Sequence, residues 1–163
     1  MFLTPHILVG AAIGAKTHNL GLIIILGIVS HFILDKIPHW DYINSGLRDF
    51  RETKNFKFLF MDLFKIGVDG LIGLSIAFLI IHQSHQMANL LFIVLGIFIS
   101  ILPDILLGFV HLFARRGLTQ KYVKFHHQFL HSAELKQKEG KITFLNISTE
   151  ILAIIISIII LFS

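Results

Sequence analysis

Five long apolar segments follow one another along this chain, and none shows the strict alternation that is typical of a half-buried strand. Continuous apolar runs separated by polar links are typical of helices that cross a bilayer. The pattern therefore predicts an all-α fold, a polytopic membrane helix bundle that occupies residues 1–163 as a single domain. The predicted helices lie near residues 5–15, 20–36, 58–82, 87–113 and 142–162.

The composition supports a membrane setting and excludes several kinds of site. The chain has 163 residues, of which 55% are apolar and 15% charged, and its mean hydropathy is +0.78. So few charges cannot cover a soluble domain of this size. The absence of cysteine excludes disulfides, thiolate metal sites, Fe–S clusters and a cysteine nucleophile.

The basic residues concentrate in two links, which predicts an orientation. One link holds Lys36, Arg48, Arg51, Lys54 and Lys57, and the other holds Arg115, Arg116, Lys121, Lys124, Lys136, Lys138 and Lys141. The positive-inside rule places both links and the N-terminus in the cytoplasm. Part of the second link, near residues 120–138, is predicted to form an amphipathic helix on the inner membrane surface.

The first predicted helix carries two small residues on one face. Gly10 and Gly14 are four positions apart, so a neighbouring helix can approach this face closely. Such a face serves either a contact within the chain or a contact between chains, and the sequence leaves both open. Thr4 and Pro5 are suited to the start of this helix, as N-cap and first helical residue.

Ionisable side chains are costly inside a bilayer, and in this chain they fall at the predicted cytoplasmic ends of the helices. They are His6, His31, Asp35, Asp62, Lys65, Asp69, Asp104, His111 and Glu150, with Asp41 in the first basic link and His126, His127 and His131 in the second. This one-sided distribution predicts a single polar pocket that opens toward the cytoplasm or the inner headgroups.

Metal binding is the chemistry that best uses this mixture of residues. Imidazole and carboxylate together suit a divalent ion, with zinc or manganese favoured, and the number of candidate ligands allows two ions. His31 and Asp35 are one helical turn apart, so both can reach one ion. The alternative is that each polar group forms a hydrogen bond with a neighbouring helix. Asp62 and Lys65 fit a structural ion pair equally well.

Four short motifs resemble a known family. They are Thr4–His6 before a Gly/Ala-rich helix, Ser30–Asp35 with its HxxxD core, Leu102–Ile105 (LPDI), and His126–Ser132 (HHQFLHS). They resemble motifs of the inner-membrane-associated metal-dependent hydrolases, the LexA-binding membrane protein family. The order of the motifs differs, because SHxxxD usually comes last and here precedes LPDI and HHQFLHS. Leu106 and Leu107 also replace an Asp and a His of the family pattern.

The resemblance implies a bacterial-type inner membrane location and a set of metal ligands. The implied ligands are His6, His31, Asp35, Asp104, His126 and His131. Helical spacing instead pairs His127 with His131, and the choice between His126 and His127 stays open.

The sequence therefore predicts a metal-dependent hydrolase of a lipid-borne or membrane-proximal ester, most simply a phosphoester. Asp41 or Asp69 is the candidate general base, and Lys65 is the candidate to stabilise a phosphate or an oxyanion. Membrane lipid is the expected partner, and nucleic acid is not expected. Two alternatives are a transporter of divalent cations or protons, and a membrane scaffold with a structural metal.

Overall fold

The computed structural model describes residues 2–39, 46–113 and 143–163, together with positions 117 and 121, and these residues contain helices and no strand. The helices are α1 (Leu3–Lys16), α2 (Leu20–Lys36), α3 (Gly46–Thr53), α4 (Phe56–Gln83), α5 (Leu90–Phe113) and α6 (Phe144–Phe162), with a 3-10 turn at Gln86–Asn89 before α5. The all-α prediction is confirmed, and the five long helices agree with the predicted number. Apart from position 121, the surface helix predicted near residues 120–138 lies outside the described residues.

The short helix α3 was not expected from the apolar runs. Its sequence, GLRDFRET, is mainly polar, so it carries no apolar segment of the kind that marks the other helices. It packs against α4 and α5, within the link that follows α2. Polar caps start three of the long helices, because the side chains of Asn19, Asn55 and Thr143 accept hydrogen bonds from main-chain N–H groups in the first turns of α2, α4 and α6.

Helix α1 lies at the centre of the bundle, where it packs against α2, α4, α5 and α6 and most extensively against α5. Its glycine face makes this last contact. A β-carbon added to Gly10 would lie 2.5 Å from the carbonyl oxygen of Gly96, and one added to Gly14 would lie 2.2 Å from that of Phe92. The Gly10/Gly14 face therefore serves a contact within the chain, and the absence of side chains brings the two backbones together.

Among the residues that the structure describes, three helical segments are long and apolar enough to cross a membrane: Phe56–Gln83, Gln86–Val110 and Phe144–Phe162. Large apolar side chains also point outward along α2, α4, α5 and α6, among them Leu71, Leu91 and Ile159. The shorter α1 is covered by its neighbours, and Ile7, Leu8 and their buried partners form the core.

Polar contacts mark the two ends of the bundle. At one end His18, which follows α1, lies 2.7 Å through Nε2 from Oδ1 of Asn89, which precedes α5. At the other end the hydroxyl of Thr149 in α6 donates to the carbonyl of Pro38, which follows α2. The second end carries the start of α1, the end of α2 and the start of α6, and the predicted site residues that the structure describes lie there.

Candidate metal centre

Three helices bring four of the predicted ligands together. His6 is in the first turn of α1, His31 and Asp35 are in the last two turns of α2, and Asp104 is in the second half of α5. Because α1 runs in the opposite direction to α2 and α5, its beginning meets their ends. Residues that are far apart in the chain thus meet at one depth of the bundle.

Asp35 contacts two imidazole rings through its two carboxylate oxygens. Its Oδ1 is 3.1 Å from Nε2 of His6, and its Oδ2 is 3.3 Å from Nε2 of His31. The centroids of the two rings are 4.5 Å apart. Both histidine side chains are fully buried and that of Asp35 is 7% exposed, so all three groups are held away from bulk solvent.

A main-chain contact fixes the protonation of His31. Its Nδ1 lies 2.8 Å from the carbonyl oxygen of Ser100 in α5. A carbonyl oxygen can only accept, so Nδ1 carries the proton and donates. In the neutral ring Nε2 then presents its lone pair, and this atom faces Oδ2 of Asp35 at 3.3 Å and Oδ1 of Asp104 at 3.8 Å. A lone pair that faces two carboxylates is repelled unless a cation, either a proton or a metal ion, lies between them.

The distances between these atoms fit shared ligation of one ion. Two ligand atoms about 2.0–2.1 Å from a tetrahedral zinc ion are about 3.3 Å from each other. The separations from Nε2 of His31 to the two carboxylates, 3.3 and 3.8 Å, lie close to that value. One ligand atom from each of His6, His31 and Asp104 also falls within 4.8 Å of the others.

His6 offers an independent indication. Its Nε2 donates toward Asp35, which leaves the lone pair on Nδ1 of the neutral ring. Within the described part of the chain this buried Nδ1 has no hydrogen-bond partner. A buried acceptor without a donor is costly, and a cation satisfies it.

Close packing of α2 on α5 places His31 against Ser100. Gly27 lies one turn before His31, and a β-carbon there would lie 2.7 Å from Cγ2 of Ile99. The missing side chain lets α2 approach α5, so the ring one turn later reaches the Ser100 carbonyl. Pro103 lies in the next turn of α5 and cannot donate to the carbonyl of Ile99, so the regular hydrogen bonding of α5 is interrupted beside the site.

The site is open at Asp104. The side chain of Asp104 is 32% exposed, whereas the other three are buried. The cluster is therefore accessible on the side of this carboxylate, where water or a small group can enter.

The polar residues of α4 make their contacts outside the metal cluster. Asp69 accepts hydrogen bonds from the main-chain N–H of Leu3 and from the hydroxyl of Thr4, the latter at 2.6 Å. It thus caps α1 from another helix, and α1 begins at Leu3 without a side-chain cap of its own. Nζ of Lys65 lies 3.6 Å from Oδ1 of Asp62. Lys65, Asp69 and Glu150 line a groove beside the first turn of α1.

Four of the predicted site residues, Asp41, His126, His127 and His131, lie outside the described residues. Their predicted roles as general base and metal ligands stay predictions. The sequence interpretation missed the carbonyl of Ser100, since a main-chain acceptor has no residue type to reveal it. The nearest signal was Pro103, which indicates irregular hydrogen bonding in the same part of α5.

Comparison of the chain with protein-family models, with curated proteins and with solved structures found no match in any of the three. The geometry of the cluster and the resemblance of the short motifs are therefore the features that indicate a function.

Proposed function

We propose that this chain is an integral membrane protein that holds a divalent metal ion at one end of its helix bundle and hydrolyses a lipid-borne or membrane-proximal ester, with a phosphoester as the favoured substrate. The observation that best supports a bound metal ion is the orientation of His31. Its Nδ1 donates to the carbonyl of Ser100, while its Nε2 faces Asp35 and Asp104. A divalent ion neutralises this arrangement more fully than a proton, because two carboxylates converge there.

Membrane insertion is supported by the three long apolar helices and by the large apolar side chains that cover the outer faces of α2, α4, α5 and α6. In water, a protein with such an apolar surface would aggregate, whereas lipid chains solvate that surface. The basic links favour a cytoplasmic location for the start of α1 and the metal cluster. The resemblance of the short motifs favours a bacterial-type inner membrane.

The donor set of two imidazoles and two carboxylates suits zinc or manganese. His6, His31 and Asp104 are the ligands proposed for the ion, and Asp35 is either a further ligand or the group that orients both imidazoles. A bound divalent ion would supply a Lewis acid that activates water near neutral pH. His126, or alternatively His127, and His131 remain additional proposed ligands, and Asp41 remains a proposed general base.

Hydrolysis is favoured over a structural metal because of Asp104. A structural ion is usually enclosed by protein ligands, whereas a catalytic ion keeps an open position. The partly exposed Asp104 provides that opening. Transport is disfavoured because an ion pathway needs polar residues along its whole length. Residues 71–80 of α4 and 90–99 of α5, which lie beyond the cluster, are apolar except for Ser75 and the glycines Gly73 and Gly96.

The first experiment is elemental analysis of the purified protein. Wild type should retain about one equivalent of divalent metal, and D35N and D104N should lose at least 10-fold in metal affinity, in line with the loss of a ligand or its orienting group. D62N is the matched control, because Asp62 is a buried carboxylate on α4 that pairs with Lys65. Full metal content in D35N and D104N after chelation and repurification would rule out the proposed ligands.

The second experiment tests hydrolysis. The protein is reconstituted in phospholipid vesicles, and release of soluble phosphoester or headgroup is measured before chelation, after chelation and after addition of zinc or manganese. The proposal predicts loss and recovery of activity in wild type and no recovery in D104N. Metal binding without any release would leave a structural metal as the better account, and sustained metal uptake into the vesicles would favour transport.

A further inference from the structure

Ser100 in α5 carries a buried hydroxyl group that lacks the usual partner. A serine inside a helix often donates to the carbonyl group three or four residues before it, as Ser157 in α6 does to Ala153. Ser100 is 0% exposed, and within the described part of the chain its Oγ has no hydrogen-bond partner. A buried hydroxyl without a partner is costly, so this group indicates a polar position that another molecule or ion fills.

This polar position lies between α1 and α5, at the level of the metal cluster. One turn before Ser100, Gly96 packs on Gly10 of α1, since a β-carbon on Gly10 would lie 2.5 Å from the Gly96 carbonyl oxygen. The two helices are antiparallel, so one further turn along their contact brings Ser100 opposite His6. The ring of His31 agrees with this placement. Its centroid is 4.5 Å from that of His6, and its Nδ1 is 2.8 Å from the carbonyl oxygen of Ser100.

Two buried polar atoms without partners therefore border this part of the contact between α1 and α5. Nδ1 of His6 presents a lone pair, whereas Oγ of Ser100 can both donate and accept. The described chain contains no direct hydrogen bond between them. Ser100 also lies one turn before Asp104, on the same face of α5, and Asp104 is on the accessible side of the cluster. Water that enters beside Asp104 is thus one helical turn from the Ser100 hydroxyl.

We propose that Ser100 is a positioning residue of the metal centre, and that its hydroxyl forms a hydrogen bond with a water molecule bound to the ion of His6, His31 and Asp104. An ion at the lone pair of His6 brings such a water to the level of Ser100, where the hydroxyl gains its missing partner. Ser100 then acts twice, because its carbonyl orients a ligand and its hydroxyl orients the water. This role rests on the metal centre proposed above and does not depend on hydrolysis.

The S100A variant tests the hydroxyl alone, because the carbonyl that binds His31 stays in place. The full chain in detergent is loaded with manganese, and the exchange rate of its bound water is measured by NMR relaxation of the solvent oxygen. S100A should exchange this water about 10-fold faster than wild type, with manganese affinity unchanged within about threefold, because a hydrogen bond to the water is lost and a metal ligand is not. S157A is the matched control, since Ser157 is a buried serine whose hydroxyl has its partner within α6.

The metal-free protein provides a second measurement. Without the ion the Ser100 hydroxyl is a buried polar group that lacks a partner, so S100A should raise the thermal unfolding midpoint of the chelated protein. S157A corrects for the higher helix propensity of alanine and should not raise the midpoint, because its lost hydroxyl was hydrogen-bonded. Addition of manganese should then stabilise S100A less than it stabilises wild type.

The outcomes separate the role of Ser100 from the metal centre itself. Failure of wild type to take up manganese would refute the metal centre and the role of Ser100 with it. Uptake with equal water exchange in S100A and wild type would overturn the role of Ser100 and leave the metal centre standing. A larger loss of manganese affinity in S100A would make the hydroxyl a ligand, and a lower midpoint of metal-free S100A would show that the hydroxyl already has a partner there. Either result would overturn the positioning role.

Discussion

The imidazole of His31 donates its Nδ1 proton to the main-chain oxygen of Ser100 at 2.8 Å, so helix α5 selects the tautomer of a side chain that belongs to α2. A side-chain substitution at position 100 cannot remove this acceptor. Nε2 of His31 therefore faces the two carboxylates for as long as α2 and α5 stay in register. The chemistry of the cluster is linked in this way to the packing of two helices.

The first prediction concerns that packing. G27A should lower both metal affinity and stability, the latter by about 1–3 kcal/mol, because the added methyl group forces α2 away from Ile99. Metal content and the free energy of unfolding in detergent are measured together. G67A is the control, because nothing lies within 4 Å of a β-carbon at Gly67, and there alanine should stabilise α4 by about 1 kcal/mol. Unchanged metal affinity in G27A would contradict the link between helix packing and the cluster.

The second prediction concerns the crossing of α1 and α5. G96A should destabilise the bundle by about 2–3 kcal/mol, because the new methyl group would meet the main chain of Gly10 and backbone atoms cannot move aside as a side-chain tip can. Unfolding in detergent gives the value. G108A lies in the same helix in open space and should show no loss. Similar stabilities of G96A and G108A would argue against the close crossing.

The third prediction assigns Asp69 to the capping of α1. D69N and T4V should each cost about 1 kcal/mol of stability, as expected for loss of an N-terminal cap, and the double variant should cost less than their sum. Metal content should stay at the wild-type level, because the partners of Asp69 are Leu3 and Thr4. If D69N kept its stability but lost hydrolytic activity, the general-base role predicted from the sequence would be favoured instead.

The fourth prediction concerns metal removal. Chelation should lower the thermal unfolding midpoint of wild type, since His31, Asp35 and Asp104 lose the cation that offsets their repulsion. Addition of zinc at about 100 times its dissociation constant should restore about 2.7 kcal/mol of stability. D104N, measured in parallel, should respond weakly to both treatments. An identical response of D104N and wild type would place the stabilising ion elsewhere.

Much of the architecture was readable from the sequence because it depends on local patterns. Continuous apolar runs predicted the five long helices, and the Gly10/Gly14 face predicted a close helix contact. The polar helix α3 was not predicted, because it lacks an apolar run. It packs against α4 and α5, and the sequence pattern does not show that packing. Recognition of His6, His31, Asp35 and Asp104 as one group was also feasible, since their positions along antiparallel helices share one end.

By itself, the sequence determined which long segments are helical, which end of the bundle carries the ionisable groups, and which residue types are present for chemistry. Only the tertiary structure decided that Asp69 caps α1, that Lys65 borders a groove, and that a Ser100 carbonyl fixes His31. The physical reason is that composition and spacing set the depth of a side chain along its helix. The rotation and approach of the helices, set by contacts such as Gly96 on Gly10, decide which neighbour that side chain meets.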